Sequence, residues 1–184
     1  MLIRAVRHPG GGWVELAVSC TIKAPSGATR EERIERGADG SQRSESQRSG
    51  ETSVDLQLRN RTTHEFFRQL SDGEWLSAPL PGRPVPPTLA NYQRAGWTLT
   101  NSTFEGRTAL RVDTGSGSQL IVPEFDYFSV EQDNATLSMR CRGLKTVVSN
   151  PSDFMPPPGV TPKLFATVAA LNAYADAKGK AATQ

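Results

Sequence analysis

The chain has 184 residues, of which 36% are hydrophobic, and 21 Lys and Arg against 19 Asp and Glu leave a net charge of +2. This length is typical of one domain with one sizeable core. The charges are interspersed, without the basic patch of a nucleic-acid-binding domain. No stretch approaches the roughly 18 apolar residues of a membrane helix.

The beginning of the chain and its cysteines both favour folding in the cytosol. The apolar run within residues 1–8 is too short for a signal peptide. Cys20 and Cys141 each fall on the apolar face of a predicted strand, where we expect two buried thiols rather than a disulfide. Two cysteines and two histidines that lie far apart in the sequence do not have the spacing of a zinc site.

The first elements in chain order are a short strand at residues 2–6 and a strong strand at residues 13–22. Alternating apolar residues resume at 54–58. Residues 23–50 between them are polar, with Ile34 as their sizeable apolar side chain. The pattern predicts a long polar hairpin insertion that is flexible or ordered by a partner. Thr29 and Glu32 form a capping-box pattern, which predicts a short helix ending at Arg36.

The middle of the chain contains a predicted helix and a proline-rich connection. The helix is capped at Thr62 or Thr63, contains Phe66, Phe67 and Leu70, and ends at residue 73. Residues 78–87 hold five prolines and are predicted to be an extended surface connection. One helical turn is predicted at residues 89–94. The later strands are predicted at residues 97–100, 108–112, 120–122, 125–130, 135–142 and 144–148.

These elements predict a mainly β fold. We expect an antiparallel β-sandwich or barrel with one flanking helix, formed by residues 1–150 with the polar insertion at 23–50. Residues 151–184 are predicted to be a proline-rich strap and a C-terminal helical arm. Thr161 caps that helix and Leu164, Val168, Leu171 and Ala175 form its apolar stripe.

One motif has a catalytic interpretation. The run Asp113-Thr114-Gly115-Ser116 follows an apolar strand, and it resembles the active-site signature of pepsin-like and retropepsin-like aspartic proteases. In that family two aspartates share a proton and activate water, so the resemblance implies a homodimer with Asp113 from each copy. The alternative is a Gly- and Ser-rich turn between two strands, and we adopt this interpretation.

An acidic cluster along a strand and turn is a candidate cation site. Its members are Glu124, Asp126, Glu131 and Asp133. The spacing lacks the glycine pattern of a calcium loop, so we favour a solvated strand face.

The aromatic and imidazole side chains have weaker functional interpretations. Trp13, Trp75 and Trp97 would suit a sugar-stacking platform, but packing in a core or an interface is favoured. His8 and His64 are expected at the surface or in a helix cap. We therefore expect no catalytic residue, no metal site and no cofactor.

The order of elements over residues 13–148 is strand, long polar loop, strand, helix and several further strands. This order resembles the tail-tube proteins of bacteriophages and related injection machines. The resemblance implies a structural virion protein that forms a homo-oligomeric ring or tube, with residues 23–50 and the C-terminal arm reaching neighbouring subunits. Its partners would be copies of itself and other structural subunits, without a membrane or sequence-specific nucleic acid.

Two alternatives to this structural role remain open. One is the dimeric aspartic protease that uses Asp113. The other is a monomeric β-sandwich that binds sugar or protein through exposed tryptophans. The oligomeric state distinguishes all three hypotheses.

Overall fold

The structure, a computed structural model, describes residues 12–82 and 87–181. These residues form a 12-stranded, almost wholly antiparallel sheet and two α-helices. In chain order the strands are β1 (Leu16–Lys23), β2 (Thr29–Arg36), β3 (Gln42–Arg48), β4 (Asp55–Asn60), β5 (Glu65–Gln69), β6 (Trp75–Pro79), β7 (Thr98–Phe104), β8 (Arg107–Asp113), β9 (Gly117–Val122), β10 (Phe128–Asn134), β11 (Ser138–Thr146) and β12 (Lys163–Leu164). The helices are α1 (Leu89–Arg94) and α2 (Val168–Ala181).

The sheet consists of two sequential meanders. Strands β1 to β6 are neighbours in chain order, and so are β7 to β11. The meanders join where β1 pairs antiparallel with β11, so β7 lies at one end of the sheet, and β6, with β12 outside it, lies at the other. The mainly β, antiparallel fold predicted from the sequence is confirmed, with its C-terminal helical arm.

The polar residues 23–50 are not an arm outside the fold. They form β2 and β3, a hairpin paired along its length with β1 on one side and β4 on the other. The predicted helix at 29–36 is therefore wrong. On the exposed side, the register places Arg33 opposite Glu45 and Glu35 opposite Arg43, so no like charges face each other at these positions. The ion pairs form within each strand, between Arg33 and Glu35 and between Arg43 and Glu45. Ile34 on the other side joins the core.

The helix predicted at residues 62–73 is also replaced by a strand. Phe66 and Phe67 are consecutive in β5 and both are buried, because they point to opposite faces of the sheet. Phe66 packs with Leu76 and α2, whereas Phe67 packs with Leu58 and Trp75. Because β5 packs against apolar side chains on both faces, its own apolar residues do not alternate with polar ones, and their spacing also fits a helix.

The main core lies on the face of β1 that carries Leu16, Val18 and Cys20, which we call the inner face. It continues across the second meander as far as Phe104 at the end of β7. The turn between β7 and β8 reaches back to β11, where the Glu105 carboxylate accepts hydrogen bonds from the backbone N–H groups of residues 143 and 144 at 2.6 and 3.1 Å. The second meander therefore curls around the core.

Cys20 and Cys141 form a disulfide, so the expectation of two separate thiols is wrong. The two residues face each other directly in the β1–β11 register. The bond thus crosses the junction between the meanders. A register between strands more than 100 residues apart in the chain cannot be read from either strand alone, which is why the sequence did not predict it.

The segment after β11 returns to the far edge of the first meander. We call residues 151–167 the strap. Phe154 in the strap is buried, and its ring lies against the backbone of Gly37. A Cβ atom at position 37 would lie 2.8 Å from this ring, so the packing of Phe154 favours glycine there. The strap then forms β12, which pairs parallel with β6, and α2 packs on the inner face of β5 and β6. Neither described helix is long and apolar enough to span a membrane.

Candidate functional site

The open edge of the sheet at β7 is the feature that stands out as a place for a partner. Strand β7 pairs with β8 on one side, and no other described strand pairs with its second side. Its sequence, TLTNSTF, contains no charged residue and no proline, and its pairing with β8 has no bulge. Natural edges usually carry charges, prolines or bulges that prevent further pairing. Along its length β7 has none of these protections.

The residues of β7 favour an extended backbone that is open to solvent. Thr98, Thr100, Asn101 and Thr103 are exposed, and of the seven residues Phe104 alone is buried. Threonine is enriched in strands because its branched side chain fits the pleated surface. The backbone N–H and C=O groups on the free side of this strand are available as donors and acceptors for an added strand.

An aromatic patch adjoins this edge on the outer face of the sheet. The short helix α1 lies there with no buried residue, and it contributes Leu89 and Tyr92 to a cluster with Leu99 of β7. The Tyr92 ring centroid is 5.9 Å from that of Trp97, whose exposure is 37%, and 5.7 Å from that of Tyr127. Partial burial raises the pKa of Tyr92 above its usual value.

The β7 sequence suits antiparallel pairing with a second copy of itself. A two-fold axis at Asn101 would place Thr100 opposite Ser102 on one face and Leu99 opposite Thr103 on the other. Pairs of Thr and Ser stabilise adjacent strands, and a strand without charge brings no like charges together across the axis. The edge is therefore chemically able to extend the sheet into a neighbouring molecule.

The Asp113-Thr114-Gly115 motif forms the hairpin turn between β8 and β9. Asp113 is exposed, and its Oδ1 accepts a hydrogen bond from the Gly115 N–H at 2.9 Å. Thr114 bonds to the carbonyl of Gly117 at 3.0 Å. These are the contacts of a turn stabilised by its own side chains. Within the described chain they give Asp113 no basic or acidic partner for catalysis.

Each member of the predicted acidic cluster lies beside a different arginine. The pairs are Glu124 with Arg107, Asp126 with Arg36, Glu131 with Arg111 and Asp133 with Arg140. The described residues contain no group of three or more His, Cys, Asp or Glu side chains suited to hold a metal ion. The four carboxylates therefore neutralise arginines separately.

The Arg36–Asp126 pair has a structural role. Arg36 donates to the carbonyls of Val14 and Phe125 at 3.1 and 3.0 Å and to Asp126 at 2.9 Å, and its guanidinium lies 4.7 Å from the Trp13 ring centroid. Burial lowers the pKa of Arg36 to about 10, although the Asp126 charge opposes this shift. The pair links the start of β1 to the turn before β10.

The tryptophans do not form one platform. Trp13 lies under Arg36, Trp75 is buried with Leu58 in the first meander, and Trp97 lies beside β7 in the second. His64 lies in the β4–β5 turn with a positive φ of 57°, and its carbonyl accepts the Leu80 N–H rather than capping a helix. His8 lies outside the described residues.

The sequence predicted part of this candidate site and missed the rest. It gave a strand at 97–100 and a helical turn at 89–94, but it assigned residues 101–106 to a hairpin connection. Strand β7 continues to Phe104, with the turn confined to residues 105 and 106. That β7 is an edge depends on which strands pair, and no local pattern carries this information.

Comparison with known proteins gives little further guidance. No family model and no curated protein matches the chain. The crystal structure of MucB is similar over 82% of this chain and 60% of that one, with 12% sequence identity and a TM-score of 0.43. The chain thus spans less than two thirds of that structure.

Proposed function

We propose that this protein is a structural, self-assembling component without catalytic activity, whose first assembly step pairs β7 with β7 of a second copy. The single observation that carries the proposal is the open, uncharged edge of β7 at one end of the sheet. Unpaired edges readily accept strands from other chains. The aromatic patch of Tyr92 and Trp97 beside the edge would add apolar contact area to the pair.

The geometry of the two sheet edges favours a two-fold dimer as the first product. At the opposite end of the sheet, β6 is covered by the two-residue strand β12, which is the outermost strand there. Because β12 is too short to accept the seven residues of β7, the β7 edge is expected to pair with its own copy, and such an isologous contact closes after two subunits. A larger ring or tube, as the resemblance to phage tail-tube proteins implies, would need a second contact surface in addition to β7.

The segments that could form such a second contact are not all those that the sequence predicted. Residues 23–50 lie within the sheet as β2 and β3, so they do not serve as a reaching arm. The disulfide between Cys20 and Cys141 is typical of proteins exposed to oxidising surroundings, including virion surfaces. It supports a protein that spends its working life outside the reducing cytosol.

The test is the mass of the protein in solution, measured by light scattering after size exclusion across a range of concentrations. We expect a dimer that dissociates on dilution. Replacement of Asn101 and Thr103 by Lys adds charges to the open edge, and these repel across the two-fold axis. This double variant should remain monomeric with an unchanged fold, as judged by circular dichroism.

A matched variant controls for the added charge. Gln47 and Thr146 are also exposed, but they lie on β3 and β11, which are paired with a strand on each side. Their replacement by Lys adds the same charge away from the edge and should leave the dimer intact. A monomeric wild-type protein at all concentrations, or equal dissociation of both double variants, would refute pairing through β7.

A further inference from the structure

A bulge in β11 places two cations on the same face of the sheet. Along a regular strand, residues three apart point to opposite faces. In β11, however, Arg142 pairs with Ser19 and Lys145 pairs with Ala17, because the register shifts between these two pairs. Gly143 supplies the extra residue with a φ of +67°, the left-handed conformation that such a bulge requires. Arg142 and Lys145 therefore both lie on the outer face.

These cations border a slot in the outer face. Its floor is β1, where the small side chains of Ala17 and Ser19 leave room between the longer side chains of the two neighbouring strands. Arg33 of β2 lies on one side, and Arg142 and Lys145 lie on the other. The slot has a volume of about 500 Å³, within the usual range of about 300–1,000 Å³ for small-ligand sites.

The slot carries more positive than negative charge. Arg33 pairs with Glu35 at 2.6 Å, so this pair is close to neutral. The nearest acidic contact of Arg142 is Glu31 at 3.9 Å, and Lys145 makes no ion pair with any described residue. Two cations thus face one concave surface without close neutralisation. Bulges are common where a strand re-aims side chains toward a ligand.

We propose that this slot binds a phosphate monoester group. Arg142 supplies a planar fork of N–H donors that matches two phosphate oxygens, and Lys145 supplies a mobile point charge for a third. Arg33 closes the opposite wall. The group is carried by either a small soluble molecule or a lipid headgroup, since both present the same dianion. The site lies at the junction of the meanders, away from the β7 edge, so it is independent of dimerisation.

The test follows backbone amide resonances of the ¹⁵N-labelled protein during titration with glycerol 3-phosphate. A second arm measures binding to phosphatidylcholine vesicles with and without phosphatidic acid. We expect shifts confined to residues 17–19, 33 and 142–145, or binding that depends on phosphatidic acid; the first result indicates a soluble ligand and the second a lipid. Replacement of Arg142 and Lys145 by Gln should weaken binding about tenfold or more, as expected for loss of charged hydrogen bonds.

A control pair separates a site from general charge attraction. Arg30 and Arg48 lie opposite each other at the exposed end of the β2–β3 hairpin, outside the slot. Their replacement by Gln removes the same charge and should leave binding unchanged. The proposal is overturned if neither arm detects binding, if shifts spread over all surface cations, or if both Gln pairs weaken binding equally. Since both pairs are exposed, each variant should fold, as its amide spectrum will verify.

Discussion

The two edges of this sheet are treated in opposite ways by the chain. At the β6 edge, β12 adds a parallel strand, the Phe165 N–H donates to the Ser77 carbonyl at 2.8 Å, and α2 covers the inner face. At the β7 edge, α1 touches one face and no described backbone group bonds to the free side. One edge thus has both a backbone partner and a buried apolar cover, whereas the other has no described backbone partner and only the contact with the exposed helix α1.

The side chains of the two edge strands explain the difference. Strand β6 buries its first four residues on both faces, so without cover it would expose a large apolar surface. Strand β7 is polar and mostly exposed, and it needs no cover to stay soluble. The comparison teaches that residues 151–181 protect the edge that folding requires to be closed. The edge left open is the one whose chemistry tolerates solvent and also accepts a partner.

The largest expected effect comes from breaking the junction between the two meanders. Replacing Cys20 and Cys141 by Ala removes a cross-link that closes a loop with a sequence separation of 121 residues. For loops of this length the lost stabilisation is about 4–5 kcal/mol in the chain-entropy model. We expect a large fall in the urea midpoint, which can be followed by tryptophan fluorescence.

Wild-type protein under a strong reductant controls for the substitutions themselves. It should unfold at the midpoint of the double Ala variant, since both lack the same bond. An unchanged midpoint in either sample would contradict a stabilising role for this disulfide.

The next effect tests the cover on the closed edge. Leu171 of α2 is fully buried against Phe66 and Leu76. Its replacement by Ala should reduce the free energy of unfolding by about 2–5 kcal/mol, because the cavity cannot collapse completely. With α2 loosened, amide hydrogen exchange should accelerate in β6 and leave β8 and β9 protected.

Ala170 provides the control, since it lies on the same helix but is exposed. Replacement by Ser should cost about 0.5 kcal/mol or less, the difference in helix propensity. If Leu171→Ala leaves exchange in β6 unchanged, α2 does not protect that edge. Strand β12 alone would then distinguish the closed edge from the open one.

The strands of the second meander were easier to predict from the sequence than those of the first. Several strands of the second meander alternate apolar and polar residues, as β11 does where Met139 and Cys141 flank Arg140, so the local pattern carried the fold. The first meander uses charge instead. In β2 and β3 the outer face carries charges of alternating sign, and ion pairs form along each strand between Arg33 and Glu35 and between Arg43 and Glu45. Since strands are predicted from alternating apolar residues, residues 23–50 were assigned to a loop.

The candidate sites were beyond the reach of local patterns for a different reason. The slot arises from the bulge at Gly143, which turns Lys145 onto the face of Arg142, whereas the sequence predicted two separate strands at this point. The open edge arises from the pairing order. Both features depend on contacts between distant segments, as does the Cys20–Cys141 bond.

The smallest expected effect concerns an ion cluster that fastens the end of α2. Lys178 contacts Asp72 and Glu74 in the β5–β6 turn. Its hydrogen bonds lower the pKa of Asp72 and of Glu74, and these carboxylates in turn raise the pKa of Lys178. A carboxylate with a lowered pKa in the folded state contributes stability above its ordinary pKa and loses it as the pH falls through the lowered value.

The stability difference between wild type and Lys178→Met should therefore be constant from neutral pH to about pH 5 and begin to fall near pH 4, where the carboxylates of the unfolded chain protonate. It should vanish once the pH lies below the lowered pKa values of Asp72 and Glu74 in the folded protein. The difference should be well below that of Leu171→Ala, because exposed ion pairs contribute little. Lys145→Met, measured in phosphate-free buffer, removes a lysine that forms no described ion pair and should give a pH-independent baseline. A difference for Lys178→Met that persists unchanged at pH 2 would assign its effect to packing of the aliphatic stem. The Lys178 side chain would then fasten α2 through apolar contact rather than through charge.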